Sequence, residues 1–89
     1  MVLVRFAAHL RSHVPCPDQE VDQGALGDCL LRAFADAPAM KDYVLDDQGH
    51  IRQHVAVFIN GKLHRDRQNL AWPCVAGDRV DVIQALSGG

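Results

Sequence analysis

One long segment of the chain returns its apolar residues every three or four positions: Leu26, Cys29, Leu30, Ala33, Phe34 and Ala37. That spacing draws a single stripe along an α-helix, and such a stripe has to be covered by something. On both sides of it the period falls to two. Val2, Val4, Phe6 and Ala8 alternate with Leu3, Arg5 and Ala7 before it, and Arg79-Val80-Asp81-Val82-Ile83-Gln84 alternates after it, as strands with one covered face do. A chain of 89 residues buries only about 60 to 65% of the surface it exposes unfolded, so one sheet packed on one helix is the arrangement its size supports.

Turn chemistry places the remaining elements. His9 to Pro17 reads as a loop, and a short strand near Gln19 to Asp22 returns antiparallel to the first as a hairpin. Asp22 is the candidate cap of the helix. Pro38 ends that helix or opens a second short one at its first position, and Met40 to Leu45 reads as a helical turn that plugs one end of the core. Asp46-Asp47-Gln48-Gly49 is a turn. The longest β-rich run, Gln53 to Ile59, meets Asn60-Gly61, a pair favoured in two-residue type I′ hairpins because both central positions need positive φ. Lys62, Leu63 and His64 therefore begin a return strand. Arg65 to Ala76 is irregular, with Pro73 restricted to a loop or a sheet edge, and Gly77-Asp78 turns the chain into a closing strand from Arg79 to Ala85.

Composition removes several classes of function. Hydrophobic residues at 48% and charged residues at 22% describe a globular domain rather than a disordered chain. No apolar run approaches a membrane span, and Met1 leads into a strand rather than a signal peptide, so a cytoplasmic protein without membrane partners is expected. A net charge of -2 lacks the basic surface that nucleic acid requires. Three cysteines, odd in number and far apart, form neither a disulfide framework nor a zinc knuckle. Cys29 falls on the helical stripe as a core residue, whereas Cys16, between Pro15 and Pro17, is expected in an exposed loop open to oxidative dimerisation. No metal site is expected: His50 and His54 would share a helix face, but at the start of a strand that spacing spans about 13 Å, which leaves them as solvated strand-end residues or sets His54 at the rim of the interface. His64-Arg65-Asp66-Arg67 reads as a solvated loop.

The chain finishes Ala85-Leu86-Ser87-Gly88-Gly89. Without a Cβ, the two glycines can thread a slot too narrow for side chains, and the five residues reach roughly 17 Å when extended. Residues 1–84 are expected to fold as one domain and 85–89 to form a flexible tail that enters a partner's active site. The alternative, a frayed end with no chemistry, stays open. On the closing strands, Val55, Val57, Ile59, Val80 and Val82 point inward, which sends Ala56, Phe58, Ile83 and Ala85 to the opposite face. An exposed apolar patch beside a working tail marks a partner interface. Phe58 could equally be covered by the turn at Met40 to Leu45.

Strand, strand, helix, strand, short strand, strand is the order of an α+β fold of the β-grasp, or ubiquitin-like, type. Gln53-His54-Val55-Ala56-Val57-Phe58-Ile59-Asn60-Gly61, Gly77-Asp78-Arg79-Val80-Asp81-Val82-Ile83 and the ending Leu86-Ser87-Gly88-Gly89, with Val4-Arg5-Phe6-Ala7 at the start, resemble the bacterial sulfur-carrier family of the molybdopterin synthase small subunit, ThiS and CysO. The insert Asp46 to Arg52 looks more like the CysO-type branch, and Trp72-Pro73-Cys74 departs from the family's pattern. The resemblance implies a mixed sheet of four to five strands on one main helix, with the first and last strands parallel neighbours at its centre.

It also implies a protein that is a substrate and not an enzyme. No cofactor is expected on this chain. A partner E1-like adenylating enzyme of the MoeB or ThiF type would use ATP to adenylate the Gly89 carboxylate, and sulfur from a persulfide or rhodanese-type donor would convert it to a thiocarboxylate for a biosynthetic enzyme making a cofactor, cysteine, thiamin or another sulfur metabolite. A carboxylate is a poor electrophile until its oxygen becomes a leaving group, whatever the family. Three functions are open: such a carrier, the molybdopterin synthase small subunit included; a ubiquitin-like modifier forming isopeptide conjugates; and a scaffold with no tail chemistry.

Overall fold

The computed structural model describes residues 1–85. The chain begins with β1 (Val2–Phe6), turns into a short helix α1 (Ala8–His13), and returns as β2 (Gln19–Val21) antiparallel to β1, with Val2 opposite Val21. A two-residue strand, β3 (Gly24–Ala25), leads into the main helix α2 (Leu26–Ala33), and α3 (Pro38–Val44) follows with Pro38 in its first turn, where the missing N–H is no loss. Then come β4 (Val55–Ile59), β5 (Lys62–Leu63), β6 (Pro73–Cys74) and β7 (Arg79–Gln84). At the β4–β5 hairpin Asn60 and Gly61 take φ of 52° and 84°, the left-handed pair that a type I′ turn demands.

Five strands form one sheet in the order β2-β1-β7-β4-β5, in which β1 and β7 run parallel and every other pair runs antiparallel. Leu3 lies opposite Arg79 and Phe6 opposite Val82. The first and last strands are therefore neighbours in the body of the sheet, and with α2 across one face this is the β-grasp fold.

The core lies between that face and the helices. Leu26, Cys29, Leu30, Ala33 and Phe34 on the α2 side meet Val2, Val4, Phe6, Val55, Val57, Val80 and Val82 of the sheet, all of them buried. The Phe6 and Phe34 rings lie 5.7 Å apart at 38°. Met40, Val44 and Leu45 close one end, each large side chain contributing about 2 kcal/mol by leaving water.

Three expectations are corrected. Ala8 to His13 is a helix rather than the end of a strand and a loop; it buries Leu10 and hangs from Val14 N–H donating to the Leu10 carbonyl. The cap of α2 is not Asp22. Ala25 holds that position without a side-chain bond, and the N–H groups of Leu26 and Gly27 donate to the carbonyls of Trp72 and Leu70, both at 2.8 Å. Backbone from the far end of the chain thus satisfies donors that a helix leaves open. A Cβ on Gly27 would sit 3.1 Å from the Leu70 Cβ, so glycine permits this close approach. The third correction is Cys16, which is 3% exposed and belongs to the core. Pro73 meets its restriction as part of β6, which among the described residues pairs with β3 alone, Ala25 opposite Pro73.

Candidate functional site

The sheet face turned away from α2 is built by the alternate residues of the same strands. Register sets Arg5 of β1 opposite Asp81 of β7, Asp81 opposite Phe58 of β4, and Phe58 opposite Leu63 of β5. These four form one row across the sheet, and Ile83 opposite Ala56 lies in the next. Phe58 and Ile83 are half-buried and share a shallow depression of about 450 Å³ with Arg5, Arg11, Asp18 and Asp81. Ala56 is only 8% exposed and adds little surface, while Ala85 is half-buried. Helix α3 lies on the other side of the sheet with Met40 and Val44 in the core, so the turn at Met40 to Leu45 does not cover Phe58.

Charge at the centre of this face is the feature that alternation alone did not bring out. Arg5 Nε donates to Asp81 Oδ1 and Arg79 Nε to Asp81 Oδ2, each at 2.8 Å. Partial burial pushes the Asp81 carboxyl up, and the bonds from Arg5 and then Arg79 outweigh it, holding the carboxyl below its ordinary range. Arg5 is raised in turn, chiefly by its hydrogen bond to Asp81. The clue was present in the sequence: Arg79 and Asp81 share the parity of Ile83, and a parallel β1 beside β7 brings Arg5 alongside. Half-buried Phe58 and Ile83 beside two arginines that share one carboxylate give this face a mixed apolar and cationic character.

The carboxyl-terminal strand leaves the sheet beside this depression. Ala85 N–H donates to the His54 carbonyl at 2.8 Å, so pairing continues one residue past β7. Leu86, Ser87, Gly88 and Gly89 lie outside the described residues. His54 is not a solvated strand end: it is half-buried, with Tyr43 edge-on at 4.7 Å, and His13 stacks on the same tyrosine at 5.6 Å. Arg67 is likewise not a free loop cation, since its guanidinium donates to the carbonyls of Arg52 and Val55, both at 2.6 Å. Burial pushes all three thiols up, Cys74 to about 11, which disfavours the thiolate form a nucleophile needs. Among the described residues no group of three or more His, Cys, Asp or Glu side chains is placed to hold a metal, and no helix is long and apolar enough to cross a membrane.

A mixed sheet grasping one helix, with an amphiphilic outer face at the root of a carboxyl-terminal segment, defines a ubiquitin-like protein. The ThiS family model matches residues 4–89, and the chain belongs to that family of ubiquitin-like sulfur carriers, small proteins that are generally not catalysts. Among solved structures it is similar to the HVO 2177 protein of Haloferax volcanii at 28% identity, covering 99% of this chain and 85% of that one with a TM-score of 0.71. SAMP1, small archaeal modifier protein 1, from the same organism is 25% identical over 99% and 98% of the two chains, with a TM-score of 0.75. The Amycolatopsis orientalis BexX/CysO complex contains a chain 18% identical over 100% of both, with a TM-score of 0.81, which shows the shared fold. No curated protein matches the chain.

Proposed function

We propose that this chain is a sulfur carrier whose Gly89 carboxylate is the reacting group and whose body serves as the handle by which partner enzymes hold it. An E1-like enzyme transfers AMP from ATP to the carboxylate and releases pyrophosphate. The terminal sulfur of a persulfide or rhodanese-type donor then displaces AMP, and reduction of the resulting acyl disulfide by a second thiol frees the thiocarboxylate. That sulfur is nucleophilic and tethered to a recognisable surface, so its delivery to a biosynthetic enzyme becomes a local event rather than a dilute collision. The chemistry needs ATP and reduced thiols, which suits the cytoplasm. The tail of residues 85–89 starts from Ala85, whose N–H is still tied to the sheet by the His54 carbonyl.

The observation that carries this reading is the family match running through Gly89, in a chain whose last strand, β7, borders the Phe58 and Ile83 depression. A partner seated on that depression sits beside the end of β7, and the BexX/CysO complex supports a body held by another protein. In this arrangement Phe58 and Ile83 are the contact residues, with Ala56 and Ala85 at their margin. The test is intact mass after incubation with ATP, an activating enzyme and a persulfide donor. One oxygen replaced by sulfur is expected on the full chain and no change on a chain lacking Gly89. A full chain that never gains sulfur from any activating enzyme of its own cell sinks the proposal.

Likeness to a small archaeal modifier protein favours a second reading, attachment of the same carboxylate to lysines. Conjugates that survive reducing agent in a lysate and vanish on deletion of Gly89 would establish it.

A further inference from the structure

Because Ala8–His13 is a helix and not a loop, two side chains that extended chain would hold apart come together. His9 and His13, four positions apart on α1, lie one above the other on a single helix face. Both are exposed, and their ring centroids are 5.3 Å apart. Leu10 of the same helix is fully buried and holds α1 to the core. Tyr43 of α3 stacks on the His13 ring at 5.6 Å and 20°, which limits how that ring can turn. The hydroxyl of the intervening Ser12 donates to the His9 carbonyl at 2.6 Å, so it is engaged with backbone. His50 and His54 have the same spacing in sequence but lie outside any helix.

The separation of the two rings suits a shared ion. Zinc sits about 2.1 Å from an imidazole nitrogen, itself about 1.1 Å from the ring centre, so two rings on one tetrahedral ion have centroids roughly 5.2 Å apart. His9 and His13 already stand at 5.3 Å. Bringing one nitrogen of each onto the ion therefore takes rotation of exposed rings and no movement of the backbone. The helix itself gains from such a bridge. It has six residues and no side-chain cap, too few to persist unaided. A link from His9 to His13 spans one turn, alongside the bonds from Arg11 N–H to the Ala7 carbonyl and from Val14 N–H to the Leu10 carbonyl, both at 3.1 Å.

We propose that His9 and His13 chelate one zinc ion, or a neighbouring divalent ion of the transition series, through one imidazole nitrogen each, and that the ion staples α1. Among the described residues no third His, Cys, Asp or Glu joins them, so water fills the remaining positions. Neutral imidazole selects zinc, nickel and copper, whereas magnesium and calcium, which take oxygen ligands, are refused. The chelate exists only while the helix does, so binding the ion and holding α1 folded are linked.

The full chain, reduced and without a histidine tag, is titrated with zinc chloride by calorimetry. One ion per chain is expected, bound at least tenfold more weakly by His9→Ala and by His13→Ala and equally well by His50→Ala. The replaced side chains are exposed and alanine favours helix, so the variants keep the fold. Hydrogen exchange supplies a second readout: the Val14 amide should be more protected with zinc than without it in the parent chain, and zinc should make no difference in His13→Ala. No saturable binding, undiminished binding by either alanine variant, equal binding of magnesium, or zinc bound with no added protection at Val14 would each overturn the proposal.

Discussion

The two faces of the sheet are made by the same strands and differ in almost every other respect. On the inner face Val2, Val4, Val55, Val57, Val80 and Val82 are closed against α2 and carry no polar atom. On the outer face the residues between them are Arg5, Phe58, Arg79, Asp81 and Ile83, partly open and held in place by an ion-pair ladder. The core lies on one side and the proposed contact surface on the other, one residue apart along the chain. A strand slipped by one position would exchange the two roles entirely, which is why the Asn60-Gly61 turn, with its fixed loop length, matters to both.

The contrast is broken most severely from the inside. Leu30→Ala, at a fully buried helix position, is expected to lower unfolding free energy by about 2 to 5 kcal/mol, measured by urea denaturation; a loss no larger than that of an outer-face alanine variant would dissolve the distinction. Phe58→Ala sharpens it from the other side. Affinity for the activating enzyme should fall by about tenfold or more, equivalent to about 1.4 kcal/mol, with little change in the denaturation midpoint. Gly61→Ala tests the turn that keeps the faces in register. The φ of 84° meets no steric neighbour, so the cost is backbone strain of about 1 kcal/mol, read as a lower melting temperature with the fold retained.

The smallest effect concerns pH. Asp81 is held below its ordinary range, so its contribution is complete above the unfolded carboxylate value of about 3.9 and disappears as pH falls through the lower folded value. Asp81→Asn should therefore differ from the parent chain by a constant small amount from neutral pH down to mild acid, and the gap should close at stronger acid. Exposed ion pairs contribute little, and a gap that widens on acidification would contradict the ladder.

How much of this was legible depends on the range of the forces involved. The helical stripe, the alternating strands and Asn60-Gly61 are local signals, and the structure follows them. Helix α1 is six residues long with no side-chain cap, too short to hold itself together alone, so no local pattern announces it. The same holds for β3 and β6, two residues each, and for the start of α2, whose donors are met by Leu70 and Trp72 from more than forty residues away. Cys16 was misjudged because its flanking prolines speak of loop conformation and say nothing of what folds over it. At the site, parity put Phe58 and Ile83 on the outer face, but the Arg5–Asp81–Arg79 ladder emerges only when β1 is laid against β7.

That parallel pairing also governs when the molecule comes into being. Arg5 and Asp81 are 76 positions apart, so during synthesis the middle of the sheet stays vacant until β7 has cleared the ribosome. A chain cut short before β7 lacks the strand that joins β1 to β4.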